Sequence, residues 1–380
     1  NTMSVSLNRR MWLKTAGIAA IGAGLGSRCS SQFGASDTTK KDSSLAKVKV
    51  SSDRIIRTTI GLRPVRQSGF VLKSETVGEK TVIHNYGHGG SGMSLSWGTA
   101  HLAVEEARRT GQKKYAVLGA GVVGLSTARL LQRQGYEVTI YAKDLPPRTT
   151  SNMSAAWFGP TGSSQRDHTT PEFADLVVKA SRLSYQYFQE YLGQDYGVHW
   201  TPAYAVSDEP PNPEAQQTSL SQRIADLYPE STQLEPQQHP FPRAYVRRRW
   251  TMQFEPAVYL NALMRDYRLA GGQVIVTEFE NIAQILTLAE PVIVNCTGLG
   301  SKNLFGDEEL QPAKGQLTLL LPQPEIKYMV MLGGPLYMLP RSDGIVLGGS
   351  REIGEWSLEP NPAVTERAIN SFTEFFAGMA

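Results

Sequence analysis

Cysteine is nearly absent. Two residues, Cys29 and Cys296, among 380 exclude a disulfide-stapled scaffold and any cysteine-rich zinc module. A dominant charge sign is missing too. The 38 basic and 35 acidic residues leave a formal +3, which gives no push toward nucleic acid. Long apolar runs are also lacking: the stretch Ala16–Leu25 is rich in alanine and glycine, and at about ten residues it is half of what a bilayer span needs. The 35 glycines and 22 prolines are spread widely, so collagen-like repetition and wholesale disorder are excluded. What is left is a globular composition, 41% hydrophobic and 19% charged. The length suits two to three domains at roughly 150 residues each, with a core large enough to need no covalent staples.

The small basic excess belongs to the first 44 residues. They carry Arg9, Arg10, Lys14, Arg28, Lys40 and Lys41 against Asp37 and Asp42, which leaves the remainder at −1. A charged start, Asn8-Arg9-Arg10-Met11-Trp12-Leu13-Lys14, with a short apolar stretch behind it is the pattern of a secretory signal. The adjacent arginines resemble a twin-arginine signal, which exports proteins already folded. The expectation is export to the periplasm or the extracellular space. Lipid attachment at Cys29 is disfavoured because bulky Arg28 precedes it, and Ser30–Ser44 reads as a polar linker.

Chemistry begins at Lys113-Lys114-Tyr115-Ala116-Val117-Leu118, a short apolar run leading at once into Gly119-Ala120-Gly121-Val122-Val123-Gly124. Leu125–Gln134 has helical character, Gly135 closes it, and Val138-Thr139-Ile140-Tyr141 is a second buried-strand run. Strand, glycine turn, helix and strand within about thirty residues is the dinucleotide-binding arrangement. The glycines serve the tight turn, the approach of backbone to pyrophosphate and close helix–strand packing. The helix start, Val122 and Val123, offers free N–H groups and a positive dipole end to phosphates. The motif alone leaves NAD and FAD open. The acid expected after the second strand for the ribose hydroxyls is displaced. The sequence reads Ala142-Lys143-Asp144, so Asp144 is the ribose candidate one position late and Lys143 the candidate for a phosphate.

Upstream lies Val82-Ile83-His84-Asn85-Tyr86-Gly87-His88-Gly89-Gly90-Ser91-Gly92-Met93, running into Ser94–Glu106. It reads as a strand, a glycine-rich loop and a helix start, a seat for an electron-rich oxygen. No carboxylate–cysteine cluster accompanies His84 and His88, so no metal site is expected. The string HNYGHGGSG resembles the signature of the D-amino-acid oxidase family, which includes D-aspartate oxidase. Four further segments are similar to that family: Gly61-Leu62-Arg63-Pro64-Val65-Arg66; Thr149-Thr150-Ser151-Asn152 through Ala155-Ala156-Trp157; Val292-Ile293-Val294-Asn295-Cys296-Thr297-Gly298 through Gly315-Gln316; and Tyr337-Met338-Leu339-Pro340 before Val346-Leu347-Gly348-Gly349. Together they cover nearly all of residues 45–380.

The resemblance implies FAD as cofactor and assigns roles by matching position. Arg63 would clamp the substrate carboxylate with its planar fork, and Tyr337 would add a hydroxyl contact. The Gly90 carbonyl would accept from the substrate ammonium. Gly89, Gly92, Met93 and Ser94 would stabilise charge on the flavin. Thr149, Thr150 and Ser151 would contact the flavin, with Thr297 and Gly298 near its ribose and pyrophosphate. Arg66 is read as structural. The family's second active-site tyrosine position is Gly333 here, and the loop Pro322–Gly334 looks shorter than the lid of the animal enzymes. The implied reaction is oxidation of a D-amino acid, by hydride transfer from its α carbon to flavin N5, to the imino acid. That product hydrolyses to a 2-oxo acid and ammonia, while O2 becomes hydrogen peroxide. Two alternatives stay open: a D-amino-acid dehydrogenase with a respiratory acceptor, and a non-catalytic flavin-binding protein. Side-chain specificity and oligomeric state, up to a homodimer, are likewise open.

The motif order is rotated. In that family the glycine fingerprint opens the chain and the arginine strand and HNYGHGG loop close it; here Arg63 and His84–Gly92 precede Gly119. We read this as a circular permutation, with a truncated tandem as the alternative. The expected fold is α/β, a Rossmann-like FAD-binding domain interleaved with a mixed-sheet substrate domain. Residues 1–44 are signal and linker; 45–80, 166–245 and 317–380 form the substrate domain; and 81–165 and 246–316 form the FAD domain. The middle of the chain says less. Pro171–Leu192 and Phe254–Leu269 read as helices, Ser207–His239 as a polar surface excursion, and Arg247-Arg248-Arg249 as a solvated face.

Overall fold

A computed structural model describes residues 45–162, 169–210 and 220–380. The twin-arginine pattern, Cys29, the whole polar linker and the expected 165/166 boundary lie outside these residues. The chain first runs β1 (Ile55–Val65), β2 (Val71–Val77), β3 (Lys80–Tyr86), α1 (Gly92–Arg109), β4 (Lys114–Leu118), α2 (Val122–Arg133) and β5 (Glu137–Ala142). Next come α3 (Pro171–Phe188), β6 (Val198–Ser207), β7 (Thr232–Leu234), β8 (Tyr245–Phe254), α4 (Pro256–Leu269) and β9 (Gln273–Val276). The last part is α5 (Ile282–Leu286), β10 (Val292–Asn295), α6 (Ser301–Phe305), β11 (Gln311–Leu320), β12 (Met329–Gly333), β13 (Leu336–Arg341), β14 (Gly344–Gly348), β15 (Glu352–Ile353) and α7 (Pro362–Ala377).

The runs Tyr115–Leu118 and Val292–Val294 are apolar throughout and fully buried, as strands covered on both faces must be. They form the centre of a six-stranded sheet in the order β2-β3-β10-β4-β5-β9. All neighbours are parallel except the antiparallel edge pair β2–β3. On one face Trp97, Leu125, Leu131, Tyr259 and Leu263 from α1, α2 and α4 pack against Tyr115, Val117 and Ile140. On the other, Val82, Ala116 and Ile293 meet Ile285 and Leu304 from α5 and α6. Helix α3 starts at Pro171 with the Thr170 side chain accepting from the Phe173 N–H, a pairing that satisfies an otherwise free donor. Its Val177 and Ala180 are buried against Leu95 and Leu102 of α1.

The second sheet runs β1-β11-β14-β13-β12-β6-β8-β7, with β15 on β11, and its central strands β11 and β14 are buried almost throughout. It is antiparallel apart from β12–β6. Phe372, Phe375 and Phe376 of α7 bury one face against Leu320, Val330, Ile345 and Leu347. Both sheets belong to one compact unit.

The two sheets divide the chain differently from the expected segments. Strand β2 precedes the 80/81 boundary yet lies in the six-stranded sheet, while β8 and β11 fall largely in the segment 246–316 yet belong to the nine-stranded one. Sheet membership is decided by hydrogen bonds to distant strands, which local composition does not encode. Met329–Gly333, read as part of a loop, is strand β12. The excursion 207–239 is not all surface: Ile224, Leu227, Leu234 and His239 are buried. Among the described residues no helix is long and apolar enough to cross a membrane.

Candidate functional site

Parallel register brings the ends of four strands to one edge. Asn295 stands opposite both His84 and Leu118, and Leu118 opposite Tyr141. Ligands of open α/β sheets bind beyond such carboxyl ends, and a cavity of about 1020 Å³ opens there, lined from both sheets.

The glycine turn after β4 forms its floor. Gly119 has φ of +102°, a conformation costly for any residue with a Cβ. A Cβ there would also come within 2.6 Å of the Cys296 carbonyl oxygen, one on Gly121 would lie 3.2 Å from Ser151 Oγ, and one on Gly124 would collide with the Gly119 carbonyl. These three positions thus give the tight turn, the bare backbone and the close helix packing that a dinucleotide pyrophosphate needs. The cradle and the size of the cavity fit FAD.

Gly119, Gly121, Val122 and Val123 line the cavity, as do Thr149, Thr150 and Ser151 from the loop after β5, and Thr297 and Gly298 after β10. Lys143 and Asp144 line it too. Three expected cofactor residues stand behind the wall. Gly124 packs against Gly119; the Gly89 N–H donates to the Pro64 carbonyl at 2.8 Å; and Ser94 Oγ accepts from the Gly159 N–H at 2.9 Å while donating to the Trp157 carbonyl at 3.1 Å. The first free donor of α2, the Val122 N–H, is held by Ser151 Oγ at 3.0 Å.

The glycine loop between β3 and α1 joins this floor to the second sheet. Its Gly90, Gly92 and Met93 line the cavity, and α1 begins at Gly92, so N–H groups do converge at a helix start. Gly90 has φ of +110°, and a Cβ on it would lie 3.0 Å from Arg63 Cδ.

Arg63 projects from β1 into the cavity, Nη1 donating to the Ser350 carbonyl at 3.0 Å. Its guanidinium lies over Gly315 of β11, within 2.6 Å (Cζ) of where a Cβ would sit. Among the described residues it has no carboxylate partner. Tyr337 of β13 lies against Gly348 and Gly349, and its ring meets Trp157 edge-on at 4.7 Å between centroids. Burial pushes the Tyr337 phenol up, while the neighbouring Arg63 and Arg341 cations oppose the rise. Arg341 is neutralised by Asp343, at 2.8 and 2.7 Å, which leaves Arg63, among the described residues, as the uncompensated cation beside Tyr337. The structure therefore brings Arg63, Gly90 and Tyr337 together with an aromatic wall.

The histidines of the loop are structural. His84 is buried, with Nε2 3.0 Å from Glu75 and Nδ1 3.1 Å from the Asn295 amide. His88 is buried, stacks on Phe70 at 5.0 Å, and sits 3.1 Å from Thr99 Oγ1; burial pushes its pKa down to about 3. No metal-binding group exists among the described residues. Arg66, read as structural, reaches Asp307 at 2.8 Å and Glu309 at 2.6 Å. Of Arg247–Arg249, none lines the cavity, and Arg249 instead covers the Tyr228 ring at 4.4 Å. Sequence reasoning missed Trp157 and Gly315 as site residues, although both stand inside segments that carry the resemblance.

The description "FAD dependent oxidoreductase" belongs to the family whose model matches residues 114–380. The chain is 26% identical over 273 residues to a D-amino acid oxidase of Dugesia ryukyuensis, covering 70% of this chain and 78% of that one. It is 28% identical over 265 residues to the D-aspartate oxidase of Homo sapiens, covering 65% and 71%. Among solved structures, glycine oxidase from Bacillus cereus is similar with a TM-score of 0.51 at 17% identity, over 69% of this chain and 80% of that one. An L-alpha-glycerophosphate oxidase of Mycoplasma pneumoniae with FAD bound gives 0.52 at 17% identity, over 71% and 80%. At such identities these two establish the shared fold alone.

Proposed function

The chain belongs to the FAD dependent oxidoreductase family and takes FAD as its cofactor, and from there we propose that it oxidises D-amino acids to 2-oxo acids and ammonia, with O2 as acceptor. The observation that carries this reading is the meeting of Arg63, Tyr337 and Gly90 at one end of a cavity whose other end is a dinucleotide cradle. Bound FAD supplies the two-electron acceptor. The protein's own work is orientation. The Arg63 fork takes the substrate carboxylate in two parallel charge-assisted hydrogen bonds, and the Tyr337 hydroxyl donates a third. The Gly90 carbonyl accepts from the substrate ammonium, which sets the α carbon between the two anchors. The Trp157 and Tyr337 rings wall this end and restrict water there.

The D-configuration and the use of O2 are supported by the resemblance of the motifs and by what the similar proteins are called; a respiratory acceptor is the rival for the second. A non-catalytic role is disfavoured by Arg63, a largely enclosed cation that has no carboxylate partner among the described residues until a substrate supplies one. Export by the twin-arginine route stays part of the proposal on the strength of Arg9-Arg10 and the apolar stretch behind them.

The test is anaerobic titration of the FAD-loaded protein with D- and L-amino acids, and then admission of oxygen. Bleaching of the flavin absorption by D-amino acids, then peroxide on reoxidation, is expected. Bleaching without peroxide transfers the reading to a dehydrogenase, and bleaching by the L-series alone overturns the stereochemistry.

A further inference from the structure

A ribose diol bound by a dinucleotide fold needs an acceptor at the end of the second strand of the motif, and here that position holds Lys143, whose ammonium only donates. The structure shows what stands beside it. Strands β5 and β9 are parallel neighbours with Ala142 opposite Val276, and the Thr277 N–H donates to the Ala142 carbonyl at 3.1 Å. The two chains therefore leave the sheet side by side, and Lys143 Nζ meets Glu278 Oε1 at 3.2 Å. Both residues line the cavity, together with Tyr141 and Phe279, whose rings pair at 6.0 Å between centroids. The Tyr141 hydroxyl is in turn held by the buried Glu290 at 3.2 Å. Asp144, the acid nearest in sequence, also lines the cavity and stands 4.0 Å from Arg148, another lining residue.

We infer that Glu278, on the loop after β9, is the carboxylate that accepts from the ribose hydroxyls of the AMP half of FAD, with Lys143 as its ion partner. The acceptor has moved from one strand end to its neighbour, and the charge at the first has reversed. Lys143, an exposed partner at 3.2 Å, offsets the charge of Glu278 beside the negative pyrophosphate. The Tyr141–Phe279 pair offers a fixed apolar surface beside it, suited to a purine. The inference rests on FAD as the cofactor and not on the choice of substrate, and its test reads binding alone.

The experiment measures FAD and FMN dissociation constants by flavin fluorescence on Glu278→Gln, Asp144→Asn and the parent protein. FMN lacks the AMP half and serves as the control ligand. Glu278→Gln is expected to weaken FAD by about tenfold, the loss of one charge-assisted hydrogen bond, with FMN binding unchanged. Asp144→Asn should move FAD by less than about twofold on the same scale. A tenfold loss in Asp144→Asn with Glu278→Gln unaffected would overturn the inference in favour of the acid next in sequence. No change in either variant, or equal losses for FAD and FMN, would also overturn it, reducing the pair to a solvated ion pair or to a general effect on folding.

Discussion

Arg63 lies over Gly315 so closely that any side chain there must displace its guanidinium. Two substitutions therefore test one contact from both sides. Arg63→Ala and Gly315→Ala should each weaken D-amino acid binding by at least about tenfold, as read by anaerobic flavin bleaching. FAD occupancy should not change, since neither residue belongs to the cradle. An unaltered substrate affinity in both would remove Arg63 from the site. His88 predicts the pH dependence of stability. Unfolded, its imidazole takes a proton near 6.5, but buried it does so only near 3. Between those values the unfolded chain holds the extra proton, so stability is full above about pH 6.5 and falls as the pH drops, by up to about 1.4 kcal/mol per unit. His84 and His239, both lowered by burial, act in the same direction. The apoprotein melting temperature should drop on acidification from pH 7 to 4.5, and the drop should be smaller in His88→Gln. At this scale the sequence was legible where a position derives from residue type within a motif, as with Arg63, which lines the cavity, and Gly119, which turns at positive φ. Trp157 against Tyr337 was not, because that contact joins β13 to a loop some 180 residues earlier, and no local pattern announces such a meeting.

The nucleotide element was legible almost whole. Leu125–Gln134, read as helical, is the body of α2, and the strand runs at 114–118 and 138–141 are β4 and β5. Their period and their glycines are set by neighbours within thirty residues, so local sequence suffices. The nine-stranded sheet was less legible, because its order depends on pairings such as β1 with β11 that span most of the chain. The strand β12 hid inside an apparent loop, Pro322–Gly334, because Gly333 and Gly334 at its end read as loop residues while its partner β6 lies far upstream. The joint between α2 and β4 carries its own prediction. A methyl group at Gly124 collides with the Gly119 carbonyl, backbone that cannot swing away as a flexible side chain would. Gly124→Ala should cost about 2–3 kcal/mol of apoprotein stability in a urea titration, and weaken FAD and FMN together, since the helix start that meets the phosphates must shift. A stability within about 0.5 kcal/mol of the parent would show that the turn relaxes.

Across the whole molecule, the segment before Gly119 is knitted into the remainder of the chain. Strand β1 pairs with β11, β3 with β10, and Arg63 reaches Ser350, 287 residues away. Val48 shares a core with Phe376 and Met379, Leu45 packs against that core, and the Thr373 hydroxyl donates to the Val50 carbonyl at 3.4 Å. From the rotated motif order we propose that 380 and 45 are neighbours in an ancestral order, and re-cutting the chain tests it. The expected result of re-cutting is definite. A chain running from Lys113 to Ala380, then through a short linker from Leu45 to Gln112, should fold and bind FAD within about threefold of the parent. An insoluble or flavin-free product would count against it. The same knitting dictates a timetable. The strand that carries Arg63 leaves the ribosome well before its partner, β11, and before the loop at Thr297 and Gly298 that lines the same cavity. Such distant pairings form slowly and leave early strands exposed meanwhile. Residues 45–112 must therefore be kept from aggregating until β10 and β11 are made, and cofactor capture must wait for those same strands.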